Sequence, residues 1–305
     1  LWTQFDFLMP GFLGNAALFR KLFRNPIENH GNQDQRKMLV RRIAPFMLRR
    51  SKSEVIKELP DKTEILRSVV LDSKQAALYE SIRLAMQKKV RDAIAKKGLA
   101  RSHITILDAL LKLRQTCCDP RLLSIPQAKQ VKQSAKLDML MEMLPELIEE
   151  GRRILLFSQF TKMLAIIEQE LQQADIGYLK LTGKTQNRDK VLDAFRSGNE
   201  NVFLISLKAG GVGLNLTEAD TVIHYDPWWN PATQNQATDR VHRIGQKKAV
   251  FVYQLITENT VEEKIIAMQE QKQALADGVY DGEGATGNFS LSADDLQVLF
   301  SPLSP

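Results

Sequence analysis

Residues 153–206 read RILLFSQFTKMLAIIEQELQQADIGYLKLTGKTQNRDKVLDAFRSGNENVFLIS, and the rhythm of this stretch decides the fold. Three short apolar runs stand out: Ile154–Phe157, Tyr178–Leu181 and Val202–Ser206. Between them lie stretches of helical periodicity near Lys162–Gln173 and Asp189–Arg196. An apolar run without polar alternation predicts a strand covered on both faces, which is the condition of a parallel sheet. Strand and helix in turn then imply right-handed crossovers and an α/β domain, a parallel sheet flanked by helices.

The same pattern continues downstream. Thr221–Tyr225 and Val250–Ile256 predict two more strands with a helix between them. Thr260 and Glu263 have capping-box spacing and open a further helix. Residues 278–290 hold four glycines and read as a flexible linker, after which Ser292 and Asp295 cap a short docking helix ending in Leu299 and Phe300. Upstream the period is helical. Leu78, Ile82, Met86, Val90 and Ile94 recur at steps of four, with Asp72 and Gln75 as a capping box and Gly98 as a stop. Ser134 reads as the N-cap of the next helix, Pro145 as a bend or restart in it, and Gly151 as its end.

The chain has 305 residues, a length that suggests two domains at about 150 residues each. Its composition, 44% hydrophobic and 26% charged, excludes bulk disorder. No apolar run approaches the roughly 18 residues that cross a bilayer, and no signal peptide opens the chain. The first residue is Leu1, which suggests a fragment. Cys117 and Cys118 are adjacent, too few for a disulfide framework or a zinc cage, which points to a reducing compartment. The net charge of +6 conceals a division. Residues 1–133 carry 26 Lys+Arg against 12 Asp+Glu, whereas residues 134–305 carry 16 against 24. Such asymmetry points to a nucleic-acid partner, although a solvated basic helix surface would give the same count.

In an open parallel sheet, ligands bind beyond the C-terminal strand ends. The loops there hold Ser158-Gln159-Phe160-Thr161, Thr182-Gly183-Lys184-Thr185, the run Lys208 to Asn215, and Asp226 to Pro231. Gly183-Lys184-Thr185 is no phosphate-cradling loop, because the glycine required five positions earlier is Tyr178. The glycines at 210, 211 and 213 fail as a dinucleotide motif, since the third would fall on Leu216. They can still bring bare backbone N–H groups to an anion, or simply form a tight turn. In Gln236-Ala-Thr-Asp-Arg240-Val-His-Arg243-Ile-Gly-Gln246, a helix would put Gln236, Arg240 and Arg243 on one face. Paired guanidiniums beside an amide suit a triphosphate held elsewhere; a solvent face pairing Asp239 with Arg243 is the plainer alternative. His30, His103 and His224 show no partner pattern.

Taken together, these segments resemble the second RecA-like lobe of Swi/Snf-type translocases of helicase superfamily two. LLFSQFTKML is similar to motif IV, LISLKAGGVGLNLTEADTVIHYDPWWNPA to motif V and the segment after it, and QATDRVHRIGQ to motif VI. LWTQFDFLMPGFLG resembles the end of the first lobe, and APFMLRRSKSEVIKELP the inter-lobe connection. LLKLRQTCCDPRLL and SAKLDML resemble the entry to the second lobe, and NTVEEKIIAMQEQKQAL its exit helix. DPWWNPA and SADDLQVLF are closest in style to bacterial members.

The resemblance implies residues 1–62 as the end of the first lobe with a helical protrusion and the connection, and 63–133 as a helical insertion. It implies 134–277 as the RecA-like lobe and 278–305 as linker and docking helix. It further implies ATP and Mg2+ bound mainly by a first lobe whose Walker motifs are absent here, so that this chain alone is inactive. Arg240 and Arg243 would be arginine fingers, with Gln236, Gly213 and Asn215 on the nucleotide side. Gln159, Lys184, Ser206, Lys208, Gly210 and Trp229 would meet double-stranded DNA, although adjacent tryptophans such as Trp228 and Trp229 also suit a packed core. The partners implied are duplex DNA, the first lobe and other DNA-bound proteins, with no membrane, in the nucleoid of a bacterium or the nucleus of a eukaryote. Motif VI lacks the further arginine of the RNA helicases. The alternative is a non-hydrolysing nucleic-acid or protein binding module on the same fold.

Overall fold

The structure, a computed structural model, describes residues 1–30, 32–47, 59–198, 200–210, 214–279 and 293–303. The chain forms two compact units, Leu1–Glu58 and Leu59–Pro305. The first is helical: α1 (Trp2–Leu8), α2 (Ala16–Phe19), α3 (Asn25–His30) and α4 (Gln33–Ile43). Asn15 and Asn32 cap α2 and α4 with their side chains, and Phe5, Leu13, Phe23, Leu39 and Ile43 form a small core.

The second unit contains β1 (Lys62–Val69), α5 (Ser73–Lys97), α6 (His103–Cys118), α7 (Ala135–Glu149) and β2 (Ile154–Ser158). There follow α8 (Thr161–Gln173), β3 (Tyr178–Leu181), α9 (Arg188–Ser197), β4 (Val202–Ser206) and α10 (Leu207–Gly210). It ends with β5 (Thr221–His224), α11 (Pro231–Thr238), β6 (Val250–Thr257), α12 (Val261–Val279) and α13 (Ala293–Leu299). The six strands form one parallel sheet in the order β1-β6-β5-β2-β4-β3, a RecA-like α/β layout.

Side-chain alternation divides the core between the two sheet faces. Ile154, Leu156, Val202, Leu204, Ile223 and Leu255 pack under α7 and α8. Leu155, Phe157, Phe203, Ile205 and Val222 pack against α9, α11 and the 207–219 segment. A third cluster joins α5, α6, α12 and α13 through Leu78, Leu110, Leu113, Ile265, Leu296 and Phe300. The docking helix therefore seats Leu296, Leu299 and Phe300 on this bundle.

Four expectations change. The basic half is not wholly helical: β1 pairs with β6 along its whole length, from Lys62 opposite Val250 to Val69 opposite Thr257. As the edge strand it buries little, and Leu66 is 55% exposed, so no apolar run announces it. Pro145 neither bends out nor restarts α7; its ring lies on the exposed face while Leu140, Leu144 and Leu147 hold the helix to the core. Asp72 does cap α5, accepting from Lys74 and Gln75 N–H at 2.8 and 3.0 Å. The Gln75 amide does not reach back to complete a box. It donates to Thr116 O (2.8 Å) and accepts from Ala135 N–H (3.1 Å), tying α5 to α6 and α7. Residues 278 and 279 extend α12, and the rest of the expected linker, with Ser292, lies outside the described residues.

Candidate nucleic-acid and nucleotide interface

Parallel register sets which loops share an edge. Ser158 lies opposite Ser206, Leu181 opposite Ile205, and Phe157 opposite His224. The loops after β2, β3, β4 and β5 thus open on one edge of the sheet. That edge gathers Gln159, Lys184, Ser206, Lys208, Gly210 and Trp229. Lys184 and Lys208 are exposed, Gln159 and Trp229 are half-buried, and Ser206 is buried. The 182–185 segment is a closed turn in which Thr185 N–H donates to Thr182 O at 3.1 Å and Thr182 N–H to Thr185 Oγ1 at 3.0 Å. Nothing there wraps a phosphate, as its spacing implies.

A buried carboxylate fastens two of these loops. Asp226 accepts from the Ser158 hydroxyl and from Gln159 N–H, the latter at 3.3 Å. Burial raises its carboxyl above the usual range, while Arg114 and the Ser158 hydroxyl pull it back down. Arg114, buried on α6, donates to Pro227 O, and its guanidinium stands 5.7 Å from the Trp229 ring centroid. From α12, Gln269 donates to the Trp228 and Trp229 carbonyls, each at 2.8 Å. Trp228 packs into the sheet core and Trp229 against the helical bundle, so one tryptophan of the pair serves each cluster. Sequence reasoning missed Asp226, Arg114 and Gln269, because each acts on partners distant along the chain.

The arginine turn lies apart from that edge. α11 ends at Thr238, so Gln236, Arg240 and Arg243 do not share a helical face. The helix stops because its next carbonyls are claimed from outside. Leu216 N–H takes Arg240 O at 3.1 Å, and the Gln246 amide reaches Val241 O at 3.4 Å. Gln246, only 7% exposed, also donates to Thr217 O (3.1 Å) and Ala219 O (2.8 Å) and accepts from Lys247 and Lys248 N–H, both at 2.9 Å. Gly245, at φ +101, lets the chain turn into this grip. Arg240 and Arg243 are half-buried on the turn, packed against the segment that leads into the N-terminal end of β5. Gln236 is exposed on α11, Asn215 is exposed with its carbonyl taking an Arg196 N–H (3.4 Å), and Gly213 lies outside the described residues.

His224 has a structural place that spacing did not show. It is buried, stacked on Phe157 at 5.6 Å, with Nε2 3.0 Å from Thr238 Oγ1. Burial lowers its pKa to about 4, so it is neutral at pH 7. A folded-state value below the unfolded one of roughly 6.5 means stability is complete above pH 6.5 and falls as pH drops toward 4. The whole span corresponds to about 3 kcal/mol. Denaturation at several pH values should show His224→Gln with a flatter acid limb than the parent; identical slopes would remove His224 as the cause.

Family comparisons agree with this architecture. Residues 1–122 match the SNF2-related domain, and residues 135–245 match the helicase conserved C-terminal domain. The chain is 39% identical over 303 residues to an uncharacterized ATP-dependent helicase of Mycoplasma genitalium, covering 98% of this chain and 28% of that protein. The Sulfolobus solfataricus SWI2/SNF2 ATPase core in complex with dsDNA superimposes with a TM-score of 0.61 at 35% identity, covering 92% of this chain and 59% of that one. The C-terminal domain of the Sulfolobus solfataricus SWI2/SNF2 ATPase gives a TM-score of 0.62 at 29% identity, covering 80% of this chain and 100% of that one. The chain thus spans well under two thirds of the helicase and of the ATPase core it matches. With both domain families in their places on one RecA-like sheet, the chain belongs to the Swi/Snf-type family of ATP-dependent helicases.

Proposed function

We propose that this chain is the C-terminal motor lobe of a DNA-dependent ATPase that translocates on double-stranded DNA. Residues 1–62 would be the end of the first lobe, its protrusion and the connection. Residues 63–133 would be the accessory insertion, 134–277 the motor lobe and 278–305 the linker and docking helix. The observation that carries the reading is the Gln246 lock. A buried amide uses both of its ends to fix a turn that presents two arginines. Fixed guanidiniums suit the charge that develops on a leaving phosphoryl group, because no reorganisation is needed as the charge appears. Arg240 and Arg243 fit phosphate oxygens, with Gln236, Gly213 and Asn215 toward the nucleotide. They do not fit Mg2+: no group of three or more His, Cys, Asp or Glu side chains among the described residues could hold a metal ion. The metal and the Walker contacts belong to the first lobe of the same polypeptide.

Duplex DNA would lie along the C-terminal strand edge, its phosphates met by Gln159, Lys184, Ser206, Lys208 and the Gly210 N–H, with Trp229 toward a groove. The Asp226 clasp keeps those loops in register while the lobes open and close. Other DNA-bound proteins would be the objects moved. Among the described residues no helix is long and apolar enough to cross a membrane.

Salt titration tests the DNA face. Each phosphate contact releases counterions, so Lys208→Ala should reduce the slope of log affinity against log salt by about 0.9 for duplex DNA. An unchanged slope removes Lys208 from the contact set, and an equal affinity for duplex RNA would contradict the choice of DNA.

A further inference from the structure

We propose that His242 is a positioning residue that couples the arginine turn to the segment joining the two motor lobes. The proposal rests on the reading of Arg240 and Arg243 as arginine fingers. His242 lies between these arginines, half-buried. Its Nε2 is 2.9 Å from the carbonyl oxygen of Pro60. A carbonyl cannot donate, so the ring is the donor and Nε2 carries the hydrogen.

Pro60 is the last residue of the 44–60 stretch that resembles the inter-lobe connection. Immediately after it, Val250 N–H donates to Asp61 O at 2.9 Å, and Lys62 opens the β1–β6 ladder. The ladder anchors the chain from residue 61 onward. The imidazole reaches one residue further back, to a proline whose fixed φ makes it a stiff point of attachment. The other fastenings of the turn run elsewhere: Arg240 O to Leu216 N–H, and Gln246 to the carbonyls of residues 217 and 219. The turn is therefore tied on one side to the β4–β5 connection and on the other, through His242, to the exit of the inter-lobe segment. A displacement of that segment during lobe closure moves Pro60 and carries the turn with it. Without the ring, Gln246 still holds the arginines, but they no longer follow the connection.

The full-length polypeptide allows the test, with ATP hydrolysis and displacement of a third strand from triplex DNA measured on the same preparations. His242→Ala should raise the ATP consumed per strand displaced by about tenfold, within the usual range of coupling between sites. His242→Gln, which keeps a side-chain N–H donor, should recover most of the coupling. Hydrolysis and displacement falling in parallel, together with a lower Tm, would show a merely structural role and overturn the proposal. So would an unchanged ratio. Arg243→Lys, run alongside, separates the two ideas. Normal hydrolysis in that variant defeats the arginine reading, whereas its loss beside an unchanged ratio in His242→Ala defeats the coupling alone.

Discussion

Replacing Arg243 by lysine in the full-length polypeptide is expected to lower DNA-stimulated ATP hydrolysis by about 10³-fold or more. Lysine keeps the positive charge and loses the planar fork that can meet two phosphate oxygens at once. The loss should appear in the rate at saturating ATP more than in the half-saturating concentration, because the charge being stabilised develops only as the phosphoryl group departs. The fold should survive. The turn is held by backbone groups of residues 216, 217, 219 and 241 and by the Gln246 amide, none of which needs the guanidinium. Turnover within a few-fold of the parent would remove Arg243 from the reaction.

The largest stability effect is expected at Lys136. Its ammonium and the Glu262 carboxylate form an ion pair with both side chains fully buried. Burial disfavours the ammonium, yet the Glu262 carboxylate outweighs it and holds the Lys136 pKa above the usual value. Glu262 also accepts from Thr257 N–H and Thr257 Oγ1, each at 3.0 Å, and the ammonium stands 5.7 Å from the Tyr225 ring. Beside it, burial and then Glu262 push the Cys117 thiol up to about 12, so this cysteine is an inert thiol in the core. Lys136→Met leaves Glu262 charged and alone, and should cost about 3–5 kcal/mol in urea denaturation. Lys136→Met with Glu262→Leu should recover much of that, since two apolar groups leave no stranded charge. A single variant within about 1 kcal/mol of the parent, or a double variant no better than the single, would contradict the account. The pair also bears on function. It fixes the start of α12, the helix whose Gln269 holds the Trp228 and Trp229 carbonyls.

Strands β2, β4 and β5 were legible because they are buried on both faces and so have to be apolar throughout. β1 was not, because an edge strand needs no such run and Leu66 can point into solvent. The strand-end loops could be read from register alone, which brought six of the expected residues to one edge. Helical spacing misplaced the common face of Gln236, Arg240 and Arg243, because the bonds that end α11 come from Leu216 and Gln246. Asp226 with Ser158, Arg114 with Pro227, and Lys136 with Glu262 lie 68, 113 and 126 positions apart, beyond the reach of local spacing. The charge division reads more plainly with the structure. The basic face of α5, with Lys88, Lys89, Arg91, Lys96 and Lys97 exposed or at the surface, belongs to the accessory bundle, whereas the motor sheet meets its partner through a few loop residues.

ATP hydrolysis by the 305-residue chain and by the full-length polypeptide, each with and without duplex DNA, tests the central claim most directly. The account predicts that the chain alone binds duplex DNA without hydrolysing ATP, while the full-length polypeptide hydrolyses it at a rate that duplex DNA stimulates. Hydrolysis by the chain alone, or a full-length polypeptide indifferent to duplex DNA, would contradict it.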